Sequence, residues 1–159
     1  MNEADIQKKL LVQHLNGGLA SVPISDVINE IPFDKLGERP NRFPYSFYEV
    51  FYHITFAQKD ILEYCESQDY QERQWPLDYW PKSRKPNTKE EWEELKKDYL
   101  KDRENIQNFI LQPNNHLSVP VKNSNKHSLL REILLVLEHN SYHTGQLVVL
   151  QRLLGFYKN

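Results

Sequence analysis

Nine prolines, Pro23, Pro32, Pro40, Pro44, Pro76, Pro81, Pro86, Pro113 and Pro120, leave long proline-free windows at residues 1–22, 45–75, 87–112 and 121–159. Proline inside a helix removes a backbone donor and clashes with the preceding turn, so these windows are where long helices can form. Four windows predict four helices. Two of them carry start signals: Ser46-Phe47-Tyr48-Glu49 and Thr88-Lys89-Glu90-Glu91 both fit the capping box, in which side chains satisfy orphan N–H groups of the first turn. The first helix is expected from Glu3 to Asn16, amphipathic through Ile6, Leu10, Leu11 and Leu15 and ended by Gly17-Gly18. Apart from a short extended piece at His116 to Lys122, no alternation of period two supports a sheet. The fold class is all-α, a four-helix bundle with long crossover connections.

Periodicity fills in the faces. In the second window Phe47, Val50, Phe51, Ile54, Gln58, Ile61, Leu62 and Cys65 share one helical face. The third window has a thinner stripe, Trp92, Leu95, Tyr99, Ile106 and Ile110, interrupted by Asp102 and Arg103, so this helix should lie partly in solvent. The fourth, with Leu129, Leu130, Ile133, Leu134, Leu137, Leu147, Val148, Leu150 and Leu154, is expected to be the best buried. Connections of about twenty residues, such as Glu66 to Asn87, exceed what neighbouring antiparallel helices need and leave chain for a crossover or a lid.

Composition narrows the function classes. A chain of 159 residues is expected to form a single domain, residues 1–159, large enough to bury a core without disulfide staples. Cys65 has no partner for an intrachain disulfide, which fits a reducing cytosol. Twenty Lys and Arg against 22 Asp and Glu give a net charge of −2, without the basic footprint that nucleic acid selects. The longest aliphatic run, Ile133 to Leu137, is far short of the roughly 20 residues a membrane helix needs. The polar start Met1-Asn2-Glu3-Ala4-Asp5 does not read as a signal peptide. The expectation is a cytoplasmic protein with a small-molecule substrate, and with neither nucleic acid nor membrane as partner.

The chemistry concentrates on the fourth helix. Glu132, Val136, His139, His143, Leu147, Leu150 and Leu154 fall on one side of it, so two histidines interrupt an apolar seam. Residues four apart are offset by about 40° around the axis and about 6 Å along it, which lets both imidazoles converge on one point. Two readings fit the pair: a metal clip, or two core-edge histidines hydrogen-bonded to their surroundings. His53, two turns inside the capping box of the second helix, is placed to face a neighbouring helix at similar depth. Three neutral imidazoles would make a site with three protein ligands, the catalytic arrangement that keeps a position open for water or substrate. Cys65 is over three turns beyond His53 and should not complete the shell.

These residues carry a resemblance. Glu138-His139-Asn140-Ser141-Tyr142-His143-Thr144-Gly145-Gln146 and His53-Ile54-Thr55-Phe56-Ala57-Gln58 resemble the H-x-x-x-H-x-G-Q and H-I-x-x-x-Q blocks of the DinB-like (DinB/YfiT-like) superfamily of metal-dependent enzymes. Helix order and spacing agree over nearly the whole chain. The resemblance implies a four-helix bundle with a metal triad at His53, His139 and His143. It implies a thiol S-transferase or isomerase using bacillithiol, mycothiol or glutathione, or else a metal-dependent hydrolase. An aliphatic surround favours the thiol. Imidazole suits several divalent ions, and zinc or nickel is the expected cofactor, with a low-molecular-weight thiol as co-substrate. Relatives often form dimers, and Leu135, Val149 and Leu153 off the main stripe would give a homodimer something to bury. The alternative is a non-catalytic bundle or stress-related binding module in which the metal only ties helices together.

Other residues have two readings each. Glu49 and Gln58 are candidates to support catalysis, Glu49 as a base one turn before His53 and Gln58 through a substrate-orienting hydrogen bond, but capping explains the first and a structural bond the second. Gly145 should allow close helix packing beside the metal. The loop Trp75-Pro76-Leu77-Asp78-Tyr79-Trp80-Pro81 roofs the pocket or plugs it. Arg39 and Arg42 meet an anionic thiol or lie exposed. Glu132 and Glu138 are expected to be exposed helix charges, and His14, His116 and His127 surface residues.

Overall fold

A computed structural model describes residues 3–157. Its helices are α1 (Glu3–Asn16), α2 (Ile24–Glu30), α3 (Phe47–Glu66), α4 (Lys89–Leu111) and α5 (Leu129–Leu154), with short 3-10 turns at Phe33–Lys35 and Pro40–Arg42. Met1 and Asn2, which open the polar start, lie outside the described residues. There is no strand among the described residues, and the extended piece after His116 amounts to one antiparallel bridge, Pro120 to Ser128. No described helix is long and apolar enough to cross a membrane.

Four helices occupy the four proline-free windows, and α2 is an addition the pattern did not reveal. Its seven residues follow Pro23 and bury Ile24, Val27 and Ile28 at i, i+3 and i+4, which is too few turns to show a period. The capping box at Ser46 is complete, with its hydroxyl accepting from Glu49 N and Glu49 accepting from Ser46 N. At Thr88 the hydroxyl accepts from Glu91 N, and the Glu91 carboxylate takes the backbone and side-chain N–H groups of Asn87. Gly17 and Gly18 follow α1 with φ of 76° and 83°, a region that costs other residues strain.

The best buried helix is α3, not α5. Twelve of the 20 residues of α3 are buried against nine of 26 in α5, because α3 is packed between α4 and α5 while α5 turns Leu130, Leu134, Val149 and Leu153 to solvent. Pairings along the helices give their directions. His53 meets His139 near one end and Tyr64 meets His127 near the other, so α3 and α5 are antiparallel. Phe51 packs on Trp92 and Gln58 bonds Tyr99, so α3 and α4 run parallel, which requires the long crossover from Ser67 to Thr88. Lys8 reaches Gln112 and Gln107 reaches Asn16, so α1 is antiparallel to α4.

Two apolar clusters fill the interior. One gathers α2, Phe47, Val50, Phe51 and Ile54 with Trp92, Tyr99, Leu147 and Leu150. The other gathers Leu62 and Cys65 with Ile106, Ile110, Leu129, Ile133 and Val136. Burying each large side chain contributes about 1.5–3 kcal/mol. On α5 the clusters are separated by the stretch between Val136 and Leu147, which carries His139, Asn140 and His143. On α3 the stretch between Ile54 and Leu62 carries Gln58. Polar side chains thus collect where the two cores meet.

Candidate metal centre

At this junction the structure brings together His53, His139 and His143, with one ring nitrogen from each lying within 4.8 Å of the others. His53 and His143 are buried and His139 is half-buried. The four-residue step on α5 and the antiparallel packing of α3 account for the convergence. Among the described residues no cysteine or carboxylate joins the group. Cys65 is buried in the second apolar cluster, where burial and the nearby Glu132 and Glu66 push its thiol up to about 12.

Hydrogen bonds at the outer nitrogens decide which atoms face inward. His53 Nδ1 lies 3.1 Å from the Tyr79 carbonyl, which can only accept, so Nδ1 carries the proton and Nε2 presents a lone pair. His143 Nδ1 lies 2.8 Å from Gln146 Oε1, which leaves its Nε2 free in the same way. His139 Nε2 lies 3.0 Å from His53 Nε2, and its Nδ1 is buried with no partner. Burial pushes the His53 and His139 imidazolium forms down to about 4, and it lowers that of His143. Repulsion among the three rings adds to the effect at His53 and His139. At neutral pH these rings are uncharged, the form that binds metal without first releasing a proton. The donor set, three neutral imidazoles aimed at a common point, fits a divalent ion such as zinc or nickel.

A cavity of about 760 Å³ opens from the three histidines along the groove between α3 and α5. Its walls include Ala57, Ile61 and Tyr64 of α3 and Arg131, Leu135, Glu138 and Tyr142 of α5. The crossover loop forms a roof, as one of its two sequence readings had it: Trp75 and Tyr79 line the cavity while Trp75 and Leu77 remain exposed. Trp80 stacks on His53 with centroids 4.2 Å apart and rings 2° from parallel, and Tyr45 stacks on Trp80 at 4.2 Å. Asp60 anchors the roof by accepting from the hydroxyls of Tyr70 and Tyr79. Sequence reasoning passed over Asp60, although a charge seven residues after His53 on the same face was a visible signal.

The structure favours the capping and structural readings of Glu49 and Gln58, and it corrects the expectations for Glu132, Gly145, Leu135 and His127. Glu49 is buried, but its oxygens accept from Ser46 N and from the Arg39 guanidinium, so capping and an ion pair engage it and it does not line the cavity. Gln58 donates to the Tyr99 carbonyl at 3.0 Å and accepts from Asn140 Nδ2 at 3.1 Å, a crosslink of three helices rather than a group facing the cavity. Arg39 is therefore held by Glu49, while Arg42 is exposed. Glu132 is not an exposed charge; it is 1% exposed and takes Arg131 Nη1 at 2.6 Å, whereas Glu138 is exposed. A Cβ at Gly145 would meet nothing within 4 Å, so close packing is not what this glycine provides. Leu135 lines the cavity instead of the outer surface. His14 and His116 are exposed, but His127 lines the cavity's far end.

Comparison with family models gives a match over residues 10–158 to the model described as the DinB family. Comparison with curated proteins and with solved structures gives no match.

Proposed function

The chain belongs to the DinB family, and from that premise we propose that it is a metal-dependent enzyme in which His53, His139 and His143 hold one divalent ion, zinc or nickel, beside an open position that faces the cavity. One observation carries the reading: three inward nitrogens converge, without a fourth protein donor among the described residues, at one end of a cavity of about 760 Å³. An ion bound there supplies Lewis acidity, which makes an entering thiol or water a stronger acid and so a nucleophile at neutral pH. The chain's own residues do the rest. The Tyr79 carbonyl and Gln146 fix the tautomers of His53 and His143. Trp80 and Tyr45 restrict the rotation of His53. The aliphatic and aromatic part of the wall, Ala57, Ile61, Leu135, Trp75 and Tyr142, is a surround that suits a soft thiolate, which favours transfer of a low-molecular-weight thiol of the bacillithiol type to an electrophile over hydrolysis.

The test is to purify the protein with its metal, measure one equivalent of ion, and follow reaction of a thiol with an electrophile such as monobromobimane, beside hydrolysis of a neutral ester. Thiol transfer that disappears on chelation and in His143→Ala supports the reading. A metal that raises Tm while neither reaction is ever accelerated would contradict it and favour the non-catalytic bundle. Residues 1–159 would act as a single cytoplasmic domain. The exposed Val149 and Leu153 of α5 support a homodimer, which sedimentation would register.

A further inference from the structure

The cavity is longer than a site for the three histidines alone requires. From Arg131 to His139 on α5, and from Tyr64 back to His53 on α3, the helix rise amounts to roughly 12–16 Å, and the cavity wall between them is formed by Ala57, Ile61 and Leu135 together with Asp60 and Glu138. At the far end stand Arg131, Glu132, His127 and Tyr64. We propose that this end is an anion subsite: Arg131, with His127 and Tyr64 beside it, receives a carboxylate at the end of an elongated, otherwise apolar ligand whose reactive end lies at the three histidines. The subsite stands on its own residues. Only the assignment of the reactive end rests on the metal reading given above.

Unused hydrogen-bond donors decide the sign of the ligand. The wall contains three carboxylates, but two are already satisfied by the protein. Asp60 accepts from Tyr70 and Tyr79 and lies 3.7 Å from Arg73 Nε, and Glu132 accepts from Arg131 Nη1 at 2.6 Å with His127 Nδ1 at 3.7 Å. The third, Glu138, is exposed and belongs to the other end of the groove, next to His139. The Arg131 side chain is 51% exposed, and its bond to Glu132 uses one nitrogen, so the remaining donors of the planar guanidinium are available to the cavity. A carboxylate buried behind an arginine fixes the fork in place, so less rotamer freedom is lost when a second carboxylate arrives in front. His127 is held by a 3.0 Å hydrogen bond with the Tyr64 hydroxyl and adds a polar edge beside it.

The competing explanation is that Arg131 serves only to neutralise Glu132. Zinc-loaded protein would be titrated with ω-mercaptoundecanoate and ω-mercaptoundecanol, whose extended chains span about the length of the cavity, with binding read from the intrinsic tryptophan fluorescence, to which Trp75 on the cavity wall and Trp80 stacked on His53 contribute. A charge-assisted bond to arginine predicts that the acid binds about tenfold more tightly than the alcohol. The shorter pair, ω-mercaptohexanoate and ω-mercaptohexanol, should show no such preference because neither reaches Arg131. Arg131→Met combined with Glu132→Gln removes both charges together and strands neither; in it the preference should fall to within about twofold, with Arg131→Lys in between. Equal binding of the long acid and alcohol to the wild type, or a preference retained in the double variant, would overturn the subsite. The absorption band of a cobalt-loaded sample reports separately whether sulfur reaches the metal. A missing band with the acid preference intact counts against the metal reading and in favour of the subsite.

Discussion

Two polar groups lie about one turn apart in the seam between α3 and α5, and they meet their burial differently. Gln58 gives its N–H to the Tyr99 carbonyl and its oxygen to Asn140, so the amide closes a crosslink within the protein. The histidines do the reverse. His53 and His143 use their outer nitrogens on Tyr79 and Gln146, and each turns its Nε2 toward the same point, where His53 meets only the Nε2 of His139. A buried polar group without a partner costs about 1–3 kcal/mol. Residues that hold such atoms against one another are organised for something outside the chain, whereas a satisfied amide is organised for the fold. The comparison separates structural from functional polarity within a single helix pair.

The largest expected effect attacks the histidines. His53→Ala or His143→Ala should weaken zinc binding by more than the 10–100-fold, roughly, that loss of an outer partner costs, as read by competition with a chromophoric chelator. Gln146→Ala removes only the bond that orients His143 and should cost about 10–100-fold in the same assay. Gln58→Leu tests the other half of the comparison: it should lower stability to denaturant by about 1–3 kcal/mol while one equivalent of zinc is retained. Loss of the metal in that variant would mean that the two groups are not separable.

Acid should act on the histidines too. Burial holds His53 and His139 at about 4 in the folded chain, against about 6.5 when unfolded, so the unfolded chain takes up protons first. The stability of metal-free protein that depends on these rings is therefore complete above about pH 6.5 and is lost as pH falls toward 4. Thermal melts at pH 7 and pH 5 should show the drop, and His139→Asn should reduce it; a drop of unchanged size would assign it elsewhere. The smallest effect concerns Cys65. With its thiol at about 12, alkylation by iodoacetamide at pH 8 should be far slower in the native protein than in the unfolded one.

Much of this was legible in the sequence because it depends on local rules. Proline excludes itself from long helices, Ser46 and Glu49 cap within one turn, and the i, i+4 spacing of His139 and His143 places them together whatever surrounds them. His53 was legible as a candidate from its depth in the second helix, and the motif then tied it to the pair on the fourth, since nothing local says which helix it faces. Contacts between distant elements were not legible. The Tyr79 carbonyl that orients His53 and the Trp80 ring stacked on it belong to a loop whose path is set by packing. Composition misled at Glu132, where a glutamate expected in water is buried because Arg131 and His127 accompany it. At Gly145 the mistaken expectation was a close neighbour that is not there.

The most direct test of the central claim is an anomalous-scattering crystal structure of the protein purified without chelator. The account predicts a single strong anomalous peak about 2.0–2.1 Å from the Nε2 atoms of His53, His139 and His143, if the ion is zinc, with its remaining position open to the cavity. Three imidazoles bonded only to one another, with no anomalous scatterer among them, would contradict it.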